Sequence, residues 1–251
     1  MTSTRKQKYA LPEQAEKADY VRRNFDEIAA HYDTFNDLIS IGMHRLWKKA
    51  TVKSLGVTDR TGVAVLDLCC GSGDLTMRLR NMLKEPSRIR ALDFSANMLD
   101  ILKGRLEGAP KRDIQVDVVR GDASDLKGID DDSMDGVVIS FGLRNVENRA
   151  ACLSEMRRVL KPGARVAVLD VGKIKSPFVR FFHNFFFERV VPLIGYVLQG
   201  GRHEMYDYLP ASSRVYPGQE ELKAELEEAG FRDVSFRNFL FGSAVLHGAV
   251  K

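Results

Sequence analysis

The chain is 251 residues long, 44% hydrophobic and 29% charged, a balance that excludes disorder and fibrous repeats and leaves enough apolar residues for a large core. Lys and Arg number 38 against 34 Asp and Glu, a formal excess of +4 that is too small to indicate a nucleic-acid partner. Three cysteines, with Cys69 and Cys70 adjacent and Cys152 alone, form neither a disulfide framework nor a zinc spacing and point to a reducing compartment.

The N-terminal stretch Met1 to Ala10 carries Arg5, Lys6 and Lys8 but no apolar run follows, so it does not read as a secretory signal. No window of about 18 uncharged apolar residues exists, so no membrane-spanning helix is expected. From Gln14 to Ala30, Val21, Phe25, Ile28 and Ala29 recur at helical spacing with charges on the other faces, which predicts an amphipathic helix. Leu38 to Leu55 reads as a second helical region interrupted by Gly42.

The texture changes at Val63. Val63 to Leu66 is a short apolar run, Asp67 to Asp74 carries two glycines, and Leu75 to Leu83 is helical: strand, glycine turn, helix. Arg88 to Asp93 reads as a second strand, Ser95 to Leu106 as a helix with Ser95 as its N-cap, and Ile114 to Val119 as a third strand. Met134 to Phe141 is a fourth, Asn148 to Leu160 a helix ended by Lys161-Pro162-Gly163, and Arg165 to Val171 a fifth strand. Strands alternating with helices require crossover connections and therefore a parallel sheet. Glu220 to Ala229 then reads as a helix closed by Gly230, and Asp233 to Phe239 and Ala244 to Val250 as a hairpin that makes one edge strand antiparallel. The expected architecture is an α/β, doubly wound, seven-stranded and mostly parallel sheet with one antiparallel edge strand. Residues 1–251 form one domain, with an N-terminal helical lid at about 14–56 and an apolar helical insertion at about 174–210.

In such a sheet the ligand sits outside the carboxyl ends of the strands. Gly71 and Gly73 let the backbone pass close to a ligand, and Asp93, twenty residues past Gly73, stands where an acid accepts hydrogen bonds from ribose hydroxyls. A G-x-G after a strand is by itself more often a plain turn, and the acid at the next strand end reverses that reading. The third glycine of a dinucleotide fingerprint is replaced by Thr76, and no phosphate-cradling Gly-Lys-Ser follows, so NAD and ATP lose ground. An adenosine ligand without pyrophosphate remains, and S-adenosylmethionine fits. The cofactor side then comprises Asp67, Gly71, Gly73 and Asp93, with Asp122 and Ala123 facing the adenine and Ser140 ending the fourth strand. Asp122 alone reads equally well as a turn residue or helix cap.

Three segments carry a resemblance: Tyr32-Asp33-x-x-Asn36-Asp37-Leu38-x-Ser40-x-Gly42-x-His44-Arg45-x-Trp47, Phe141-Gly142-Leu143-Arg144-Asn145-Val146, and Arg158-Val159-Leu160-Lys161-Pro162-Gly163. They closely resemble the ubiquinone/menaquinone biosynthesis C-methyltransferases, over about Val21 to Lys251. The resemblance implies the class I S-adenosylmethionine-dependent fold, and methyl transfer to a ring carbon of a prenylated quinol, with demethylmenaquinol as the leading substrate. The benzoquinol step of ubiquinone biosynthesis, a small soluble phenolic acceptor and a non-catalytic cofactor-binding accessory subunit are the alternatives. The family's cofactor positions fall on Ser72, Asp93, Asp122, Ala123 and Ser140. One departure is visible: the family usually has an acid, an aromatic or aliphatic residue and a serine after the fifth strand, where this chain reads Asp170-Val171-Gly172.

Such chemistry needs a phenolate aligned with an electrophilic methyl and no metal, and the five histidines at 31, 44, 183, 203 and 247 are scattered. Arg144 cannot act as an ordinary base, but its fixed charge could stabilise phenolate or polarise a water, and Asn145 could hold the quinol oxygen. Tyr32, Asp33 and His44 are the further catalytic candidates, His44 for base work near neutral pH. The structural alternatives are pinning of the lid by Asp33 and His44, and an ion pair for Arg144.

Six of the fourteen phenylalanines fall between Phe178 and Phe187 at spacings of three and four. That face is core, a contact between two copies in a homodimer, or the wall that receives an isoprenoid tail. The expected setting is cytoplasmic, peripheral on the inner face of the membrane, with no nucleic-acid partner.

Overall fold

The computed structural model describes Leu11, Pro12 and residues 16–251, so the start of the expected first helix at Gln14 and the basic stretch 1–10 lie outside the described residues. Helix α1 (Lys17–Ile28) buries Val21, Phe25 and Ile28 and passes through one 3-10 turn, Ala29–His31, into α2 (Tyr32–Ser40). Tyr32 to Asn36, which lie between the two expected helical stretches, are thus helical. The expected interruption is a left-handed pair, Ile41 at φ 50° and Gly42 at φ 69°, after which α3 (His44–Ser54) begins.

The sheet follows with β1 (Ala64–Leu68), α4 (Asp74–Met82), β2 (Ser87–Asp93), α5 (Ala96–Glu107), β3 (Ile114–Arg120), β4 (Met134–Ser140), α6 (Arg149–Val159) and β5 (Leu160–Val171). The Ser95 hydroxyl accepts from the Met98 amide, the N-cap expected there. Lys161-Pro162-Gly163 does end the helix, but it already belongs to β5. Four helices come next: α7 (Pro177–Phe185), a π-turn at Phe186–Val190 leading into α8 (Val191–Gln199), α9 (Glu204–Val215) and α10 (Gln219–Glu228). The hairpin of β6 (Arg232–Phe239) and β7 (Ala244–Val250) completes the chain.

The seven strands lie in the order β3-β2-β1-β4-β5-β7-β6. β1 to β5 pair in parallel, and β7 runs antiparallel to both β5 and β6. The antiparallel hairpin forms the edge as expected, but the reversed strand itself, β7, sits one place in and β6 is outermost. Two apolar layers cover the sheet, one around Leu66, Val137, Leu153 and Leu226, the other around Trp47, Val65, Leu79 and Val138. A third core lies over the carboxyl ends of the strands, where Val21, Phe25, Ile28 and Phe35 of the lid pack on Val191, Met205, Tyr206 and Tyr208 of the insertion. Each such side chain stabilises by about 1.5–3 kcal/mol when taken from water, so lid and insertion form one roof over the site.

Candidate active site

Two cavities open under that roof. The first, of about 450 Å³, is lined by Cys69, Asp93, Phe94, Asp122, Ala123 and Asn145 among others. The Asp93 carboxylate ends β2 and is oriented from both sides: Gly71 donates to one oxygen at 2.8 Å and Ser95 to the other at 2.9 Å. Burial pushes this carboxyl up to about 6, against the pull of those backbone donors. Asp122 accepts from the amide and hydroxyl of Ser124 at 2.8 and 2.7 Å, a turn that leaves its second oxygen available on the cavity wall.

The glycine loop joins β1 to α4. Gly71 and Gly73 both have positive φ, and a Cβ on Gly73 would sit 2.2 Å from Leu102 Cδ1, so Gly73 is needed for packing against α5. Ser72 is 2% exposed, and its hydroxyl donates at 2.8 Å to Asp33, which also pairs with Arg105. The lid is therefore tied directly to the loop. Asp67 lines neither cavity. It is 1% exposed beneath the loop, Thr76 donates to it at 2.6 Å, its other oxygen has no partner among the described residues, and burial pushes its carboxyl up to about 7. Ser140, the last residue of β4, likewise lines neither cavity, and its buried hydroxyl has no partner among the described residues. Burial pushes the Cys69 and Cys70 thiols up, which keeps both protonated and unreactive.

The second cavity, of about 380 Å³, is lined mainly by apolar side chains of α1, α2, α3, α9 and the insertion, with Tyr32, Ser40, His44, Lys48 and Arg144 as its principal polar residues. Arg144 and Asn145 are neighbours in one 3-10 turn, Leu143–Asn145, yet they face different cavities: Asn145 the first, Arg144 the second. The turn is held from four directions. Arg144 pairs with Asp170 at 2.7 Å and donates to the Phe141 carbonyl at 2.6 Å; Tyr208 donates to Asn145 at 3.2 Å; Lys17 of the lid donates to the carbonyls of Arg144 and Val146, both at 3.0 Å. Burial lowers the Lys17 pKa, and the nearby Arg149 and Arg144 charges add to it. The Nε of Arg144 is buried with no partner among the described residues. Burial would lower the Arg144 pKa, but the Asp170 charge and hydrogen bond, with Tyr32 and Tyr208, together outweigh it and the net direction is up, so the guanidinium stays charged.

The pairing of one cavity with an apolar one across a single turn fits a nucleoside cofactor on one side and an apolar acceptor on the other, and the comparisons with known proteins decide the family. Residues 13–251 match the model of the ubiE/COQ5 methyltransferase family. The chain belongs to that family. The demethylmenaquinone methyltransferase of Leptospira interrogans is 44% identical over 243 residues, 97% of each chain. That of Staphylococcus aureus is 38% identical over 229 residues, 91% of this chain and 92% of the other. Among solved structures, a methyltransferase of Haloferax volcanii in complex with the Trm112 activator superposes with a TM-score of 0.63 at 20% identity, covering 92% of this chain and 96% of the other. An S-adenosylmethionine-dependent methyltransferase of Thermotoga maritima gives 0.62 at 19% identity, covering 91% and 99%. Both share the fold.

The cofactor of this methyltransferase is S-adenosylmethionine, and the residues present fit it. Asp93, Asp122 and Ala123 line the first cavity, where the Asp93 carboxylate would accept from ribose hydroxyls and Asp122 and Ala123 would face the adenine. Sequence reasoning missed Lys17, Tyr208, Lys48 and Asp74. Lys17 and Tyr208 carry no local signal, because their partners lie 127 and 63 residues away. Asp74 could have been suspected, as an acid in the first turn of a helix beside the glycine loop.

Proposed function

We propose that this chain transfers the methyl group of S-adenosylmethionine to a ring carbon of a prenylated quinol, demethylmenaquinol, at a membrane surface. The observation that carries the reading is the Arg144–Asn145 turn, which puts a buried guanidinium with an unpartnered Nε on the wall of an apolar cavity and its neighbour on the wall of the cofactor cavity. The cofactor supplies an electrophilic methyl on a positively charged sulfur. Arg144 stabilises the phenolate that makes the adjacent ring carbon nucleophilic, in a low-dielectric site where such stabilisation is strong. The ring carbon bonds to the methyl as the carbon–sulfur bond breaks, and loss of the proton from that carbon restores the aromatic ring, releasing one proton overall. Asn145 aligns the two reactants, and Tyr32 lines the acceptor cavity close enough to bear on the Arg144 charge. Both ring nitrogens of His44 are turned to protein groups, which supports an orienting role for it.

A membrane surface is supported by α7, of which no residue is buried. Phe178, Phe181, Phe182 and Phe185 are 56–74% exposed, while Phe186 and Phe187 on the following turn line the acceptor cavity. Lys175, Arg180 and Arg189 are exposed beside them and suit anionic headgroups. Ile41, Leu240 and Phe241 add exposed apolar side chains, Ile41 and Leu240 at the wall of that same cavity. Among the described residues no helix is long and apolar enough to cross a membrane.

The test is purified protein with labelled S-adenosylmethionine and short-chain demethylmenaquinol, with detection of the methylated ring and flotation on anionic vesicles. Cofactor binding without label in the quinone would oppose the reading and favour an accessory subunit. Self-association without vesicle binding would reassign the phenylalanine face to a homodimer.

A further inference from the structure

The wall of the acceptor cavity carries a second polar feature besides Arg144. Asn36, Ser40, His44 and Lys48 recur at every fourth position across the α2–α3 break and all line it. The Ser40 hydroxyl has one proton and two close partners within this stripe. Ser40 Oγ lies 2.6 Å from the Asn36 carbonyl oxygen and 2.7 Å from His44 Nδ1. A carbonyl oxygen carries no proton, and whichever tautomer His44 adopts, the single hydroxyl proton is directed to the Asn36 carbonyl or to Nδ1, within the stripe. The opposite edge of the imidazole, Nε2, faces the carboxylates of Asp37 and Asp74, each at 3.6 Å. Lys48 holds Asp74 at 2.7 Å and Arg45 holds Asp37 at 2.9 Å, so the ring is clamped in place. Ser40 consequently has its proton committed and at least one lone pair left: toward the cavity it is an acceptor only.

We propose that Ser40 recognises the second hydroxyl of the quinol, the one para to the oxygen stabilised at Arg144, and so makes the site select the reduced ring over the oxidised one. A quinol hydroxyl can donate to the remaining lone pair of Ser40. A quinone carbonyl has nothing to donate, and two acceptors facing each other in an apolar cavity are left unsatisfied. His44 is a positioning residue that fixes the direction of the Ser40 hydroxyl, and Asp74 and Lys48 support it from behind. The inference rests on the quinol reading above and adds to it the residue that reads the redox state of the ring.

The experiment uses the full chain, labelled S-adenosylmethionine and two acceptors with the same short tail. One is the 1,4-dihydroxynaphthalene; the other is its methyl ether at the hydroxyl para to the one flanking the accepting carbon, electronically close but without a proton to give. The wild type is expected to favour the diol in kcat/KM by about tenfold or more, the margin of a site built to bond a hydroxyl. Ser40→Ala should bring that ratio to within about twofold of unity with S-adenosylmethionine affinity unchanged, and Ser40→Thr should keep it. Binding in the presence of S-adenosylhomocysteine should likewise favour diol over quinone in the wild type and lose that preference in Ser40→Ala. A ratio unchanged in a folded Ser40→Ala, or equal losses on both acceptors, would overturn the proposal. Transfer to neither acceptor by the wild type would count against the quinol reading itself.

Discussion

The Arg144 guanidinium lies 2.7 Å from the Asp170 carboxylate with both side chains more than nine-tenths buried, an ion pair at the floor of the acceptor cavity. The ion pair leaves the proposed catalytic role an atom of its own: Asp170 takes Nη1, and Nε has no partner among the described residues. Arg144→Ala should lower kcat by about 10²–10³-fold, the range for loss of one oxyanion-stabilising group, with cofactor Kd unchanged. Calorimetric titration of S-adenosylmethionine beside single-turnover kinetics checks this, and equal loss of both would make Arg144 structural.

Breaking the pair from the other side has a different signature. Asp170→Asn leaves a buried charge uncompensated and should cost about 3–5 kcal/mol of stability. The double variant Arg144→Met with Asp170→Leu removes both charges and should recover most of that loss without recovering turnover. Thermal unfolding of the three variants separates the two contributions.

Asp67 predicts a pH dependence. Burial raises its folded-state pKa to about 7, against about 3.9 in the unfolded chain. The folded state thus holds a proton that the unfolded state has released, and the cost of ionising this carboxyl grows as pH rises from about 4 to about 7. Asp67→Asn should therefore raise Tm by several degrees at pH 8 and by much less at pH 4.5, in melts across that range.

The phenylalanine cluster divides into two experiments. Phe182→Ser together with Phe185→Ser changes exposed positions, so stability should stay within about 0.5 kcal/mol while flotation on anionic vesicles falls. Phe186→Ser lies on the acceptor cavity and should raise the KM for long-tailed acceptors without altering flotation.

Ile41 is a β-branched residue at φ 50° and 87% exposed, a strained conformation with no burial to offset it. Ile41→Gly should stabilise the protein by about 1 kcal/mol in denaturant titration and weaken vesicle binding. Stability gained with vesicle binding intact would remove Ile41 from the membrane-facing rim.

The parallel sheet, the glycine turn, the Ser95 cap and the acids at the ends of β2 and β3 were legible in the sequence because each is written locally. Alternating strands and helices impose crossovers, a strand-glycine-helix run imposes the turn, and strand ends in such a sheet face one side. The three quoted segments carried the family and, with it, Arg144, Asn145, Tyr32 and His44. What only the tertiary structure decided was which cavity each of them lines. Neighbouring residues of one tight turn diverge, so Arg144 and Asn145 serve different cavities. Asp170 becomes the counter-ion and Lys17 the clamp because packing joins elements far apart in the chain. The phenylalanines split into an exposed face and a cavity wall because a helix has two sides, and only the roof built by lid and insertion determines which side is covered. The surroundings of the Ser40 hydroxyl were also set by the structure, since the direction of a hydroxyl proton depends on every partner around it.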